Sequence, residues 1–208
     1  MSTHPDFTEA VDAGRELLGL EAAAISAVRL DETFHRAVDL VLSAPGRVLV
    51  AGVGTSGPIA RRLAHLLSAC GTPALYLHPA DALHGSLGAV IGGDVVVTVS
   101  KGGRSAELNE FAARCKERGA RLLVLTGAPG SPLAALADVA ATLPETPGAD
   151  PGGVIAMGSS LAAAAWGDAF AWVLMRLRGY SWESVLHAHP AGAVGHLTAA
   201  DIARTEVS

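Results

Sequence analysis

Two short turns of small residues carry most of the chemistry that this 208-residue sequence offers. In the first, Gly52-Val-Gly-Thr-Ser-Gly57, the glycines at 52, 54 and 57 let backbone N–H groups approach a ligand closely, and the Thr55 and Ser56 hydroxyls add donors. Set between a strand and a helix N-terminus, such a turn suits an anion, above all a phosphate. The second, Ser100-Lys-Gly-Gly-Arg-Ser105, repeats the pattern. Ser100, Ser105 and the amides of Gly102 and Gly103 can hold a phosphate, while Lys101 or Arg104 brings positive charge. Each turn also has a plainer reading as a tight turn with solvated side chains. Two of them in one chain weaken that reading.

Histidines are the other reactive set. His78, His84 and His189 fall where strand ends or loops expose them. A histidine is more often structural than catalytic, but two beside a phosphate site can move a proton between adjacent carbons, since imidazole titrates near neutral pH. His187 and His189 lie two apart on a predicted helix end, where their side chains diverge, and no HExxH is present. No metal and no cofactor is expected.

The string GVGTSG also fits the GxGxxG fingerprint of dinucleotide-binding proteins, which calls for an acidic residue about 20 positions on to hold the ribose. Between Gly57 and Asp81 the chain has neither Asp nor Glu, so a nicotinamide cofactor is not expected.

The elements that must position these turns alternate along the chain. Helical spacing from Asp6 to Ala44 predicts one or two helices, broken near Asp31, and Pro45-Gly46 ends them. A β-branched run from Arg47 to Ala51 reads as a buried strand, followed by the first turn and an amphipathic helix from Ile59 to Cys70. Strands are then expected at Ala74 to His78, Asp94 to Ser100, Arg121 to Thr126 and Val139 to Leu143. Between them lie a loop with a helical turn, Pro79 to Gly88, and helices at Ala106 to Arg118 and Ser131 to Ala137. A Pro/Gly-rich loop, Pro144 to Gly153, is too polar and irregular to be core. It leads to a long helix from about Met157 to Arg178 and a shorter one from Trp182 to Ala188. Alternation of this kind implies a parallel sheet covered by helices on both faces, with ligands at the carboxyl ends of the strands.

Composition narrows the class. With 50% hydrophobic residues the chain can bury the core of one α/β domain over residues 1–208, with N-terminal helices over 6–44 and an α/β core over 46–200. Net charge is -5 and only 4% of residues are aromatic, so neither the basic stripe nor the stacking platform of a nucleic-acid binder is present. The run Ile155 to Met175 is apolar, but Asp168 near its middle would cost about 3 kcal/mol in a bilayer. A core or subunit-interface helix is expected instead of a membrane span. The start, MSTHPDFTEA, lacks the basic and apolar segments of a secretory leader, so a cytoplasmic location is expected. Cys70 and Cys115 fall in predicted helices without a CxxC or Cys/His cluster, as packing residues.

Taken together, GVGTSG, HPADALHGSLG, SKGGRSAEL, SSLAAAAWGDAFA and HPAGAVG resemble, in that order, the SIS (sugar isomerase) domain. Among its branches they are most similar to the isomerase domain of arabinose-5-phosphate isomerases, without the paired CBS domains that often follow it. The resemblance covers essentially residues 10 to 200. It implies a five-stranded parallel sheet between helices, a sugar-phosphate substrate, proton transfer through an enediol, and a dimer or tetramer with sites at subunit interfaces. The family's phosphate-binding hydroxyls fall on Ser100, Ser105, Ser159 and Ser160, and Ser56 matches the serine of its first turn. Its histidines fall on His84 and on His189, the latter reaching a neighbouring subunit's site. Three charged positions of the family are changed: Thr55 stands for a Lys, Arg104 for a Glu and Gly148 for a Glu. Glu107, Glu145 and Asp81 are candidates to compensate. The leading expectation is a phosphosugar aldose–ketose isomerase. The changed charges favour the alternative, a non-catalytic phosphosugar-binding or regulatory protein, whereas both histidines remain and no helix-turn-helix precedes the domain. A lyase or epimerase acting on a related sugar acid is a third reading.

Overall fold

The computed structural model describes residues 6–206. The first five residues of the stretch read for a leader lie outside the described residues. Five strands, β1 (Val48–Gly52), β2 (Ala74–Tyr76), β3 (Val95–Val99), β4 (Arg121–Thr126) and β5 (Val139–Thr142), form one sheet in the order β2-β1-β3-β4-β5. Every pairing is parallel, with Val50 opposite Val97 and Val97 opposite Leu123. Parallel strands covered on both faces need apolar side chains on both, which is why β1 and β3 are buried at all five positions.

Alternate residues feed two cores. Val48 and Val50, Val95, Val97 and Val99, and Leu123 and Leu125 face α2 (Glu32–Leu42), α3 (Ser56–Ala69) and α7 (Gly158–Leu177). Leu49, Val96, Leu122 and Val124 face the other way, against α4 (Pro79–Leu83), α5 (Ala106–Glu117) and α6 (Pro132–Leu136). The result is the three-layer α/β/α arrangement expected from the alternation. On the first face Phe34 of α2 meets the Trp166 ring of α7 edge-on at 5.2 Å, and Trp166 stacks on Phe170 at 4.8 Å.

The expected break near Asp31 occurs between α1 (Phe7–Ser26) and α2, where the Asp31 carboxylate accepts the N–H groups of Thr33 and Phe34 at 2.9 and 3.2 Å. β2 is shorter than expected. It pairs only with β1 at the sheet edge and stops at Tyr76, because Pro79 opens α4 and takes His78 as its N-cap. Beyond α8 (Trp182–Ala188) the chain forms a further helix, α9 (Ala199–Glu206), that the sequence reading does not foresee. Among the described residues no helix is long and apolar enough to cross a membrane. Asp168 of α7 instead binds Arg62 of α3, with Arg62 Nη2 donating to Asp168 Oδ2 at 3.0 Å. Cys70 caps α3, and Cys115 is fully buried in α5, where burial pushes its thiol up to about 12.

Candidate active site

The strand order reverses between β1 and β3, and a ligand crevice is expected outside the carboxyl ends of the strands at that point. A cavity of ≈ 690 Å³ lies there. Ser56 enters it after β1, Lys101 and Gly102 after β3, Gly127 after β4, the chain from Leu143 to Val154 after β5, and Ser159 and Ser160 from the first turn of α7. Two helix N-termini, those of α3 and α7, thus turn the positive ends of their dipoles toward one space.

Both turns are built as their glycines require. Gly54 holds φ +54° in the first. In the second, Gly103 holds φ +60°, and its N–H donates to Ser100 Oγ at 3.1 Å. The Lys101 carbonyl accepts the Gly127 N–H at 3.0 Å and the Thr126 hydroxyl at 3.2 Å, pinning this turn to the end of β4. The loop after β5 departs from its sequence reading. Ala149 and Asp150 are buried, because Gly158 N–H bonds the Ala149 carbonyl and Asp150 faces the start of α7.

Asp150 is the electrostatic centre of the cavity. Its Oδ1 accepts the Ser159 N–H at 3.0 Å, its Oδ2 lies 2.7 Å from the Lys101 ammonium and 3.4 Å from the Thr146 hydroxyl, and Lys101 also donates to the Gly153 carbonyl at 3.0 Å. Burial alone would raise this carboxyl, but the Lys101 ammonium and the Ser159 amide outweigh it and hold the group down to about 2. The Ser159 hydroxyl lies near enough to help keep Asp150 ionised, yet its oxygen is buried without a hydrogen bond of full geometry. That leaves a hydroxyl free for a ligand at the head of α7.

A depressed carboxyl stabilises the fold above its ordinary titration range and loses that contribution as pH falls toward its folded value. Asp150 is therefore expected to contribute about 2 kcal/mol near neutrality that disappears between about pH 5 and 2. Urea unfolding of the wild type and of Asp150→Asn across this range checks it. The difference between the two proteins should be largest at pH 6 and shrink toward pH 2. A constant difference would contradict the assignment.

Of the residues singled out in the sequence, Ser56, Lys101, Gly102, Ser159 and Ser160 line the cavity. Ser160 donates to the Ala156 carbonyl at 2.6 Å. Ser100 is buried with its oxygen engaged by the turn, and Ser105 begins α5 without a side-chain cap bond. Thr55 and Gly54 sit exposed at the first turn, Gly103 is buried beneath the second, and Arg104 is exposed beside it without an ion pair among the described residues. His84 caps the end of α4 and His189 the end of α8. Neither lines the cavity. The His189 ring places Nδ1 2.7 Å from the Val185 carbonyl, an arrangement that leaves Nε2 as the free nitrogen. Among the proposed compensating acids, Glu145 lines the cavity, whereas Asp81 and Glu107 lie in the first turns of α4 and α5, outside it. The sequence reading misses Asp150. Its signal is the Asp-Pro step in the loop leading to the long helix, whose Asp folds back onto the helix start.

Comparison with known proteins agrees with this architecture. Arabinose 5-phosphate isomerase GutQ of Escherichia coli (strain K12) is 37% identical over 187 residues, which is 89% of this chain. Arabinose 5-phosphate isomerase KdsD of Pseudomonas aeruginosa is 34% identical over 94% of the chain. The chain spans only 58% and 60% of the lengths of these two relatives. The structure of E. coli CFT073 c3406 in complex with A5P superposes with a TM-score of 0.83 at 30% identity, covering 89% of this chain and all of that one. A solved protein of Listeria monocytogenes str. 4b F2365 superposes at 0.85 with 32% identity, covering 90% of this chain and all of its own. The SIS domain model matches residues 41–173, from the end of α2 through both small-residue turns and most of α7. The chain belongs to the SIS domain family.

Proposed function

We propose that this protein is a phosphosugar aldose–ketose isomerase that works by proton transfer through an enediol, on a substrate of the arabinose-5-phosphate class. The observation that carries the reading is the cavity itself. The positive ends of two helix dipoles and the hydroxyls of Ser56 and Ser159 converge on it, a setting that suits a phosphate without an obligatory cation. The names of the relatives, arabinose 5-phosphate isomerases at 34 to 37% identity, and the A5P bound in a structural neighbour, support the substrate class. Phosphate binding there would orient the reacting carbons, so that anchoring energy serves the chemical step.

His84 and His189 remain the histidines expected to move protons. Since neither reaches the cavity of its own chain, their contribution needs a second copy, and a dimer or tetramer in the cytoplasm is part of the proposal. Supporting it, α1 buries only Ala24 and leaves Phe7, Leu18 and Ile25 exposed, while α7 exposes Leu161 and Trp172. His189→Ala is expected to abolish isomerisation while phosphosugar binding stays measurable. The test is a panel of pentose and hexose phosphates in D₂O, followed by NMR for deuterium uptake beside the carbonyl. Tight binding with neither turnover nor uptake on any sugar would instead support the sensor reading, which the loss of charge at Thr55 and Gly148 favours.

A further inference from the structure

Resting on the isomerase reading above, we propose that Glu145 is the catalytic residue that carries the carbon-bound proton. Among the described residues the cavity is lined by two carboxylates, Asp150 and Glu145, and by no histidine. Asp150 is committed: it accepts the Ser159 N–H, pairs with Lys101 and is held far below the ordinary carboxylate range, which makes it a poor proton acceptor at neutral pH. Lys101, the one cation lining the cavity among the described residues, is itself bound to Asp150 and to the Gly153 carbonyl. Glu145 has no ion pair or hydrogen bond among the described residues and stands exposed at the cavity wall. Among the described residues it is the carboxylate of the cavity wall left without a partner.

Its mounting suits the task. Pro144 and Pro147 bracket Glu145 and Thr146 and restrict the backbone on either side. Upstream, the Leu143 N–H bonds the Thr126 carbonyl at 2.8 Å, which fixes the segment to β4; downstream, the Ala149 N–H bonds the Thr146 carbonyl at 3.1 Å. A free side chain on a pinned backbone can meet the same carbon in each turnover.

The step balances within the sugar. The Glu145 carboxylate takes the proton from the hydroxyl-bearing carbon beside the carbonyl. The C–H electron pair becomes the C=C of the enediol, and the carbonyl oxygen gains a proton from an acid at the site or from water. In the second half the neighbouring hydroxyl gives up its proton, a new C=O forms, and the enediol pair takes the proton back from Glu145 onto the former carbonyl carbon. The oxygen-bound protons are then the ones left for a histidine such as His189.

The test compares the wild type with Glu145→Gln and Glu145→Asp, using the phosphosugar panel for deuterium uptake and turnover and calorimetry for binding. Because the side chain is exposed, the unfolding midpoints should match. Glu145→Gln is expected to bind the same sugars with unchanged affinity and to lose about 10²- to 10⁴-fold in both uptake and kcat, with KM unaltered, while Glu145→Asp recovers part of the rate. Wild-type uptake by Glu145→Gln, or loss of binding in its place, would overturn the assignment and leave the isomerase reading standing. A wild type that neither interconverts any of the sugars nor takes up deuterium into them would remove that reading, and the role of Glu145 with it.

Discussion

Phe170→Ala is expected to lower the unfolding free energy by about 3–5 kcal/mol in urea titrations, with the slope of the transition unchanged. Phe170 is fully buried, stacks on Trp166 and meets Phe34 edge-on at 6.0 Å. These three rings fasten α7 to α2, and the rest of that buried core is Val, Leu and Ala from the sheet, α2, α3 and α7. Such surroundings cannot close over the lost ring, so the cavity penalty adds to the lost transfer energy. Phe170→Leu keeps part of the volume and should cost clearly less. A loss below about 1 kcal/mol for the alanine variant would mean that the aromatic cluster does not hold α7. The same anchor matters at the other end of the helix, because Ser159 and Ser160 sit on its first turn.

Gly103→Ala should be nearly as damaging and should strike the site directly. A Cβ at this position would lie 2.1 Å from Ser131 Oγ and 2.6 Å from Ser131 Cβ, and φ +60° is unfavourable for any residue with a Cβ. The conformational term is about 1–2 kcal/mol, and forcing Ser131 aside adds about 1–3. Ser131 cannot move freely, because its oxygen accepts the Ala134 N–H at the start of α6. Displacing the turn also breaks the Gly103 to Ser100 bond and shifts Lys101 away from Asp150. The expected result is a lower melting temperature together with loss of phosphosugar binding. In a Gly103→Ala/Ser131→Gly double variant the overlap with Ser131 is gone, so stability should recover in part, to the level set by the backbone strain. Full recovery would assign the whole effect to crowding.

The sheet was legible because parallel strands buried on both faces read as unbroken apolar runs, and β4 occupies Arg121 to Thr126 as expected. The break expected near Asp31 falls at the N-cap of α2, and the helix expected from Trp182 to Ala188 has both ends where expected, with Ser181 accepting the Ser184 N–H. Edges were less legible. His78 continues the strand pattern, but the following proline fixes where the next helix starts. At the site, the glycine turns could be read from spacing, since positive φ at Gly54 and Gly103 is a local demand. The Lys101–Asp150 pair could not. It joins residues 49 positions apart, as numbered, and no local pattern specifies which loop a given lysine will meet. The loop from Pro144 to Gly153 looked like solvent-exposed connection for the same reason. Asp150 and the Gly153 carbonyl are satisfied by Lys101 after β3 and by the start of α7, partners that only the folded chain supplies.

The cavity wall is a mosaic. Ser56, Lys101 and Gly127 arrive after three different strands, while Glu145 and Ser159 belong to the stretch that runs from β5 into α7, so no continuous peptide contains all of it. Affinity for a ligand that touches all of them therefore exists only in the fully assembled chain and vanishes with it. Occupancy and global stability become one thermodynamic quantity, with each tenfold excess of ligand over its Kd adding about 1.4 kcal/mol to the unfolding free energy. Supply of the ligand thus sets how long the protein survives, as well as how much of it is occupied.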